Sequence, residues 1–572
     1  MYKRIVLALS CFLVNLVYLN AQHLQRSELL SKPTANSVSI RLQFDTLVNA
    51  KLYYGKTKNE LYDSTQTIQF QSNQFGTIVL ENLTANSKYY YQLQYQVVGN
   101  DSLFKRPIYS FQTAKTSAQS FTFLVQADPH LDNQTDSLIL FRSCENQLTD
   151  NADFLIDLGD FIMTDKLRNA NKIVTTDTLN YRCNLLSSYY EKMAHSLPLF
   201  IALGNHEGEA GWNLNGTKDN IAVWNTNLRN QFFPNPKPNS FYKGDTNSYA
   251  FVGQRAAYYA WNWGNALFVV LDPYWHTNTK PDSLNGWRWT LGKVQYDWLK
   301  QTLANSNATF KFVFAHQLIG GDPDGRGGVE FADLYEWGGK NLDRTEGFSV
   351  QRPGWEMPIK DLFKKYRVNV FFHGHDHFFA KQEKDCLIYQ ESPQPGHPNF
   401  SNAGQAKIYG YLEGDIIPNS GYIRVNVDSN KVKVEYVRTY KAADETANRK
   451  NKDVSNTYFI NKINCYDSLN TASPVLWNKQ YIDELVFPNP FSVNTTFQFQ
   501  LKQTQAINIE IYSLNGQLIK TLLQSNQLAA GQYQITWDGT DQFNALQSEG
   551  MYVYQIKSNS QVLKTGKLIF KK

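Results

Sequence analysis

The sequence predicts a multidomain protein in which a β-sandwich, a layered α/β domain and a second β-sandwich follow one another. Three observations predict this architecture. A chain of 572 residues exceeds what one hydrophobic core usually supports. Short strands of alternating polar and apolar residues fill both ends of the chain. The middle of the chain instead holds continuous apolar runs, which are typical of strands buried on both faces.

Residues 1–21 have the pattern of a signal peptide. The basic pair Lys3 and Arg4 precedes an apolar run that ends at Leu19, and the small residue Ala21 offers a cleavage point. Elsewhere the sequence lacks the uninterrupted run of about 18 apolar residues that a membrane helix needs. We therefore expect an exported protein with no transmembrane segment after signal removal.

Charge and cysteine content exclude some classes of function. The net charge of +5 is spread without a block of like charges, so the electrostatic footprint of a nucleic-acid-binding protein is missing and we expect no such partner. The four cysteines after the signal are too widely spaced for a dense disulfide scaffold or for close metal-binding pairs. Three disulfide connectivities stay open for Cys144, Cys183, Cys386 and Cys465.

Residues 22–118 predict the first β-sandwich. Segments such as "SVSIRLQF" and "AKLYYG" alternate polar and apolar residues between turn signals. The segment "LENLTANSKYYYQL" resembles the corner of the fibronectin type III family, with Leu83 and Tyr89 at the places of its leucine and corner tyrosine. The alternative is that Tyr89 is an ordinary strand aromatic.

In the central domain, predicted over residues 119–445, apolar runs end in side chains that can bind metals. These run ends are "VQADPH" with Asp128 and His130, "DLGD" with Asp160, "ALGNH" with Asn205 and His206, "FAH" with His316, and "HGHDH" with His375 and His377. One further run, "VVLDP", ends in Asp272, which we leave outside the site. Ligands collect beyond the carboxyl ends of strands in open α/β sheets, so we expect these five ends to converge.

The residue types at these strand ends indicate a two-metal site. Leaving His206 aside, they supply two carboxylates, one amide oxygen and four imidazoles, which suit Fe, Zn or Mn better than Ca or Mg. Seven ligands are too many for one tetrahedral ion. Two ions about 3.5 to 4 Å apart that share a carboxylate would use all seven and leave room for a bridging water or hydroxide. Such a site keeps a positive surplus and attracts a phosphate dianion.

The ordered blocks "DPH", "GD", "GNHE", "FAH" and "GHDH" resemble the signature of the calcineurin-like metallophosphoesterases, whose catalytic domain is an αββα sandwich. The resemblance implies one metal site formed by Asp128, His130, Asp160 and His377. It implies a second formed by Asp160, Asn205, His316 and His375, with Asp160 as the bridge. It also implies that His206 contacts the scissile phosphate and protonates the leaving group.

The order of a sandwich followed by this domain resembles the purple acid phosphatases, but two residues depart from that subfamily. Met163 stands where the subfamily has a metal-bound tyrosine, and His130 has no counterpart there. Since the purple colour comes from that tyrosine, we do not expect it here.

Two long insertions, from about 208 to 265 and from about 317 to 358, surround the predicted site in the sequence. Two segments of the second, "GGDPDGRGGVEFADLYEWGGKN" and "RPGW", are rich in glycine and tryptophan. Loops of this kind on a rigid scaffold often carry specificity. Arg326 and Arg352 are the candidate substrate-binding residues, as clamps for a phosphate oxygen. Either arginine could equally pair with a nearby acid.

The chain ends with a predicted linker, residues 446–484, and a predicted second sandwich, residues 485–572. The polar stretch "AADETANRKNKDVSN" suggests the linker. The segments "FPNPF" and "IEIYSLNGQLIKTL" resemble the C-terminal sorting domain of the Bacteroidetes type IX secretion system. This resemblance implies export by the type IX machinery to the medium or the outer cell surface. The alternative is a carbohydrate-binding sandwich.

Together these features predict a secreted or cell-surface dimetal phosphoesterase, similar to acid phosphatases, that cleaves small phosphate esters by attack of a metal-bridging hydroxide. One alternative is a catalytically inactive surface binding protein on the same fold. Another is a nucleotidase or phosphodiesterase, although nucleotidases normally add a C-terminal domain that stacks the base. The natural substrate, the preference for mono- or diesters and the identity of the metals stay open.

Overall fold

The computed structural model describes residues 23–116, 119–167, 173–282, 285–322, 325–462, 466, 484–501, 504–513, 516–558 and 561–571. The predicted signal peptide and much of the predicted linker lie outside these residues. The chain divides into two compact units, residues 1–469 and residues 470–572. Sheet-rich units at both ends of a central α/β domain confirm the predicted fold class.

The first unit begins with two antiparallel sheets that form a sandwich. Its strands are β1 (Leu24–Ser31), β2 (Val38–Phe44), β3 (Val48–Gly55), β4 (Asp63–Ser64), β5 (Ile68–Phe70), β6 (Phe75–Leu80), β7 (Lys88–Val97), β8 (Leu103–Lys105) and β9 (Tyr109–Gln112). One sheet has the order β1-β2-β6, and the other is built around β3 and β7. Every second side chain of β7 enters the core, as the alternating sequence predicts.

The predicted corner of this sandwich has a specific hydrogen bond. The backbone N–H of Thr84 donates to the Tyr89 hydroxyl at 2.9 Å, and Leu83 is buried beside it. A tyrosine that bonds back to the chain a few residues upstream is a feature of corners of this type. Membership of the fibronectin type III family stays a prediction.

The central domain contains two larger sheets. Their strands are β10 (Phe121–Gln126), β11 (Phe154–Asp157), β12 (Leu199–Ile201), β13 (Lys243–Gly244), β14 (Tyr259–Trp263), β15 (Ala266–Val270), β16 (Phe310–Phe314), β17 (Val370–His373), β18 (Phe379–Lys384), β19 (Leu387–Glu391), β20 (Asp415–Ile417), β21 (Gly421–Val427), β22 (Lys431–Arg438) and β23 (Val454–Asn461). A six-stranded sheet has the order β12-β11-β10-β21-β22-β23, and an eight-stranded sheet has the order β13-β14-β15-β16-β17-β19-β18-β20. The strands β10 to β12 run parallel in the first sheet, and β15, β16, β17 and β19 run parallel in the second.

The two sheets pack face to face, and helices cover their outer faces. The helices are α1 (Ser137–Thr149), α2 (Thr176–Tyr190), α3 (Ile221–Phe232), α4 (Lys293–Ala304), α5 (Tyr335–Gly338), α6 (Phe348–Gln351), α7 (Ile359–Lys365) and α8 (Gln405–Ile408). Aromatic side chains from both sheets, such as Phe123 and Phe312, fill the inner core. Leu124 of the six-stranded sheet packs with α1 and α2, and Phe371 of the eight-stranded sheet packs with α4 and α7. The domain therefore has the αββα layering that the resemblance implies.

The predicted start of the linker is wrong at β23. Val454–Asn461 pairs antiparallel with β22 and is the edge strand of the six-stranded sheet, so the central domain continues into the stretch predicted as linker. Most of its side chains are partly or fully exposed. The polar stretch that suggested the linker runs from 442 to 456 and overlaps only the first three residues of β23, so local composition did not reveal the strand pairing that follows it.

The second unit is a smaller sandwich. Its strands are β24 (Glu484–Phe487), β25 (Thr495–Leu501), β26 (Gln505–Tyr512), β27 (Leu518–Leu528), β28 (Gly531–Trp537), β29 (Gly550–Ser558) and β30 (Gln561–Phe570). They form sheets of order β24-β25-β28 and β27-β26-β29-β30. Phe497, Ile509 and Trp537 lie in the shared core.

The pairing of the cysteines bears on the compartment of the protein. Cys144 and Cys183 are buried free thiols, whereas Cys386 is disulfide-bonded to a partner outside the described residues. A structural disulfide suits a protein exposed to an oxidising compartment. Within the described ranges, none of the helices is both long and apolar enough to cross a bilayer.

Candidate metal centre

The strand ends singled out in the sequence meet at one edge of the two packed sheets. Asp128 and His130 follow β10, Asp160 follows β11, and Asn205 and His206 follow β12 in the six-stranded sheet; His316 follows β16, and His375 and His377 follow β17 in the eight-stranded sheet. Within each sheet these strands are parallel neighbours. Because carboxyl ends of parallel strands share one edge, the loops of both sheets meet there.

Two glycines let these loops approach closely. A Cβ on Gly374 would lie 2.5 Å from the Cβ of Ala127, across the junction of the two sheets. Gly159 has a φ of 100°, and a Cβ there would lie 2.3 Å from the backbone nitrogen of Gly204. The glycines of "LGD" and "HGH" are thus required by backbone contact between ligand-bearing loops.

Five of the candidate ligands have left-handed backbone conformations. The φ angles are 57° for Asp128, 50° for His130, 62° for Asp160, 81° for His375 and 67° for His377. Residues other than glycine adopt this region at a cost of about 1 to 3 kcal/mol each when the conformation is sparsely populated. Such residues gather at functional sites, where the surrounding structure fixes them. The backbone thus directs several ligand side chains to one point.

The first ligand group consists of Asp128, His130 and His377. Asp128 Oδ1 lies 3.5 Å from His130 Nε2 and 3.5 Å from His377 Nε2. The two imidazole rings are 4.5 Å apart and nearly perpendicular. One carboxylate oxygen and two ring nitrogens therefore converge on a common point.

The second ligand group consists of Asp160, His316 and His375. His316 Nε2 lies 3.0 Å from Asp160 Oδ2 and 3.3 Å from His375 Nδ1. Asn205 lies beside this group in the loop after β12. Its side-chain oxygen is buried and has no hydrogen-bond partner within the described part of the chain. The amide is therefore available as a further ligand.

The two groups are adjacent. Asp160 Oδ2 of the second group lies 3.9 Å from His130 Nε2 of the first. Asp128 Oδ1 of the first lies 3.8 Å from His316 Nε2 of the second. The first of these distances suits an Asp160 carboxylate that faces both groups.

The donor atoms fit transition-metal ions. Within each group the four pairs of ligand atoms given above are 3.0 to 3.5 Å apart. Atoms bound about 2.1 Å from one ion at angles of about 90° to 110° are separated by about 3.0 to 3.4 Å. Among the residues that the structure describes, several of the same atoms are buried and find no hydrogen-bond partner, namely Asp128 Oδ1, Asp160 Oδ2, Asn205 Oδ1 and both ring nitrogens of His130. Since buried polar atoms are normally satisfied, this cluster of unpartnered atoms indicates a cation site.

Each aspartate uses its other oxygen to fix its orientation. Asp128 Oδ2 accepts the backbone N–H of His375 at 2.9 Å, which joins the two sheets. Asp160 Oδ1 accepts the backbone N–H of His206 at 2.8 Å. His316 Nδ1 donates to the carbonyl of Leu158 at 3.0 Å, which leaves Nε2 as the lone-pair donor for a metal.

The charge state of the centre favours cations. Burial alone would raise the pKa of Asp128, but the imidazoles of His316 and His377 hold it well below its usual range. Burial would likewise raise the pKa of Asp160, and His316 and His206 lower it. Both carboxylates are therefore ionised across the physiological pH range.

Glu207 is a residue of this centre that the sequence reasoning missed. Its buried carboxylate accepts backbone N–H groups of Gly204, Asp160, Phe161 and Ile162. Burial, and then the charge of Asp160, raises the pKa of Glu207 to about 7. The carboxylate thus ties the loop after β11 to the loop after β12. The signal was present as the last letter of "GNHE", but a sequence alone cannot show that an acid points at backbone amides.

His206 lies at the accessible side of the centre. Its side chain is 20% exposed, and its Nε2 lies 3.8 Å from Asp160 Oδ2. Its ring centroid is 5.8 Å from that of His130. The imidazole is therefore next to both ligand groups and in contact with solvent.

The two arginines predicted to bind substrate have different surroundings. Arg326 donates from Nη1 to the carbonyl of His375 at 2.9 Å and is partly exposed, so it lies at the edge of the second group. Arg352 instead donates to Glu336 and to the carbonyls of Trp287 and Trp289. Arg352 thus fits the alternative that the sequence left open, a pair with a nearby acid, because its guanidinium is engaged by Glu336 and by carbonyls among packed tryptophans. We propose no substrate role for it.

The position of the missing tyrosine is buried. Met163 is 1% exposed and has a φ of 58°. Tyr274 is close enough to Asp160 to feel its charge; burial first, and then that charge, raises its pKa well above the usual range. Its hydroxyl donates to Gln317 at 3.0 Å. Tyr274 is thus a protonated hydrogen-bond donor.

Two segments of the chain match known families. Residues 121–379 match the family described as calcineurin-like phosphoesterase. Residues 485–571 match the secretion system C-terminal sorting domain. The first match contains all seven candidate ligands and His206, and the second coincides with the C-terminal sandwich.

Curated relatives and a solved structure resemble the same region. Two Arabidopsis thaliana proteins named "Probable inactive purple acid phosphatase 27" and "Probable inactive purple acid phosphatase 24" are each 22% identical, over 59% and 55% of this chain. The chain spans about half the length of these relatives, 48% and 44%. A solved structure of PhoD superposes with a TM-score of 0.55 at 15% identity, covering 77% of this chain and 91% of that chain. This last similarity supports the fold alone.

Proposed function

We propose that this chain, whose residues 121–379 form a calcineurin-like phosphoesterase domain, hydrolyses phosphate esters at the paired ligand groups of that domain. The observation that carries the proposal is the adjacency of two His/Asp groups, each with its ligand atoms within 4.8 Å of one another. A family match alone would not distinguish an enzyme from a protein of the same fold that has lost catalytic activity. A complete and oriented donor set supports the enzyme.

In this proposal each ion would have its own protein ligands, and the two ions would share one carboxylate. Asp128, His130 and His377 would hold the first ion, Asn205, His316 and His375 would hold the second, and Asp160 would be the shared carboxylate. Two bound ions of Fe, Zn or Mn would polarise the phosphoryl group and provide a nucleophile at neutral pH. The hydrogen bonds to Asp128 Oδ2 and Asp160 Oδ1 hold both carboxylates in their orientation before substrate binds.

His206 is the proposed proton donor to the leaving group. Its backbone N–H is bonded to Asp160, which fixes the loop, while its ring stays partly exposed beside the ligand groups. An imidazole titrates near neutral pH, so it can hold a proton for the departing oxygen. Arg326 is the proposed contact to a phosphoryl oxygen, because a guanidinium at the rim of the centre complements a dianion.

We propose that this activity is located outside the cell. The sorting domain at residues 485–571 supports delivery to the medium or outer surface by the type IX machinery. The predicted signal peptide would supply the first step, across the inner membrane. Small organic phosphates in the surroundings are then the accessible substrates.

A catalytically inactive binding protein is the second candidate, since the names of two curated relatives describe those proteins as probable inactive phosphatases. It would bind phosphate compounds at the same groups without turnover. A nucleotidase or phosphodiesterase is a third possibility that differs only in substrate.

One experiment separates these candidates. The exported chain would be tested with a panel of alkyl, aryl and nucleoside phosphomonoesters and diesters, with metal content measured on the same sample. We expect turnover that needs both metals. The matched control is Asp160→Asn purified in the same way, which excludes a contaminating phosphatase. Metal-loaded protein without turnover on any ester would support the binding protein instead.

A further inference from the structure

Asp376 lies between two candidate ligands but turns away from both groups. Its carboxylate is buried, and it accepts hydrogen bonds from Arg326 Nη1, from the backbone N–H of Gly327 and from the Tyr411 hydroxyl, at 2.9, 2.8 and 2.8 Å. Its backbone carbonyl accepts Gln405 Nε2 at 2.9 Å. One acid thus joins three segments: the ligand turn after β17, the loop around residue 326 and the segment from 405 to 411.

The partner of this acid is fixed at the edge of the metal centre. Arg326 Nη1 donates both to Asp376 and to the carbonyl of His375, and the guanidinium carbon lies 4.3 Å from the ring centre of Tyr409. The Arg326 backbone N–H is held by Asp322 at 2.9 Å. Its Nη2 makes no hydrogen bond to any part of the chain that the structure describes. The side chain is 26% exposed.

A second carboxylate–guanidinium pair of the domain shows what a purely structural pair looks like. Arg352 pairs with the fully buried Glu336, and its Nη2 donates to two backbone carbonyls. Its side chain is only 12% exposed. The two arginines therefore differ. The guanidinium of Arg352 bonds to Glu336 and to backbone carbonyls, whereas Arg326 has Nη2 beside the ligand residue His375 and without a hydrogen bond to the described chain.

We propose that Asp376 is a positioning residue that holds the guanidinium of Arg326 against His375, where it binds the phosphoryl group of the substrate. The inference rests on the proposed function for the identity of the ligand, a phosphate group. A free arginine side chain loses considerable rotamer freedom on binding, and a buried acid that fixes it beforehand removes part of that cost. Bidentate pairing of a planar guanidinium with a phosphate also needs a set orientation.

A double-mutant cycle tests this coupling. We expect Arg326→Met and Asp376→Asn each to lower kcat/KM on a phosphomonoester by about 10²- to 10³-fold, the usual loss for one oxyanion-binding donor. The double variant should lose about as much as the worse single variant, because both changes remove one positioned guanidinium. Affinity for inorganic phosphate, measured by calorimetry on metal-loaded protein, should fall about tenfold or more in the same three variants.

The matched control uses the structural pair. Arg352→Met and Glu336→Gln should lower thermal stability while phosphate affinity and kcat/KM stay near wild type below the melting transition. Metal content should stay at the wild-type level in all the variants. If Asp376→Asn does not fold, Asp376→Glu replaces it: it keeps the charge but displaces the guanidinium, so phosphate affinity should still fall.

Two results would overturn the proposal: wild-type phosphate affinity in a folded Asp376 variant, or losses in the double variant that equal the product of the single ones. A wild-type protein with no esterase activity refutes the proposed function instead. In that case the phosphate-binding cycle still decides the role of Asp376.

Discussion

Replacing His206 by alanine separates general acid catalysis from metal binding. The substitution removes an imidazole that lies 3.8 Å from Asp160 Oδ2 but leaves the backbone N–H that holds Asp160 Oδ1. The proposal gives the His206 ring no ligand role, and the backbone contact to Asp160 remains, so the arrangement of the carboxylates should persist. The change therefore tests the ring alone.

The expected size of the effect depends on the leaving group. General acid catalysis is worth about 10²- to 10⁴-fold, which corresponds to about 2.7 to 5.4 kcal/mol of barrier. We expect a loss of this size on an alkyl phosphate, whose alkoxide is a poor leaving group. A nitrophenyl ester needs little protonation of its departing oxygen and should lose much less.

The assay is a comparison of kcat/KM on the two esters for wild type, His206→Ala and His23→Ala, with metal content measured for each. His23 is a partly exposed histidine of the N-terminal sandwich, paired with Asp45, and serves as the matched control. It should match wild type on both esters. Metal content should be equal in the three proteins.

Either of two outcomes would refute general acid catalysis by His206. Equal losses on both esters with full metal content would mean that His206 stabilises phosphoryl oxygens rather than donating a proton. Loss of metal in His206→Ala would place this imidazole among the ligands, and the assignment of residues to the two groups would have to be redrawn.

Four further predictions follow from the same site and from the two ends of the chain. Asp160→Asn should lower bound metal and abolish nearly all turnover, because a neutral amide bridges two cations poorly; full activity in that variant or in chelator-treated protein would refute the two-metal proposal. Glu207→Gln should lower the free energy of unfolding by about 1 to 3 kcal/mol, measured by urea titration, since an amide cannot accept all the backbone N–H groups bound by the carboxylate; unchanged stability would contradict this role. The oxidised, metal-loaded protein should lack an intense visible charge-transfer band, because Met163 replaces the tyrosine of the purple subfamily and the hydroxyl of Tyr274 keeps its proton in a hydrogen bond to Gln317; a strong purple absorbance would mean that another tyrosine binds the metal. Deleting residues 485–572 in a Bacteroidetes-type host should retain the protein in the periplasm, detected by cell fractionation, and normal surface delivery would contradict the sorting role.

Residue type and strand-end position were enough to predict which side chains gather at the centre. Asp128, Asp160 and His316 each follow a continuous apolar run, and a buried parallel strand directs its carboxyl end to the common edge of the sheet. Ligand chemistry depends on the atoms of the residue itself. The sequence therefore determined the kind of site, the fold class and the two flanking sandwiches.

Contacts between distant segments were decided only by the tertiary structure. The part that Arg352 plays depends on Glu336 and two carbonyls, and the part that Asp376 plays depends on Arg326, a loop 50 residues away in the chain. The edge strand β23 likewise resembled a linker until its pairing with β22 was known. A charged or polar residue has the same local pattern whether it faces solvent, a backbone amide or an arginine. Its role is set by which groups the fold brings within hydrogen-bond distance, and short-range sequence patterns carry no information about that distance.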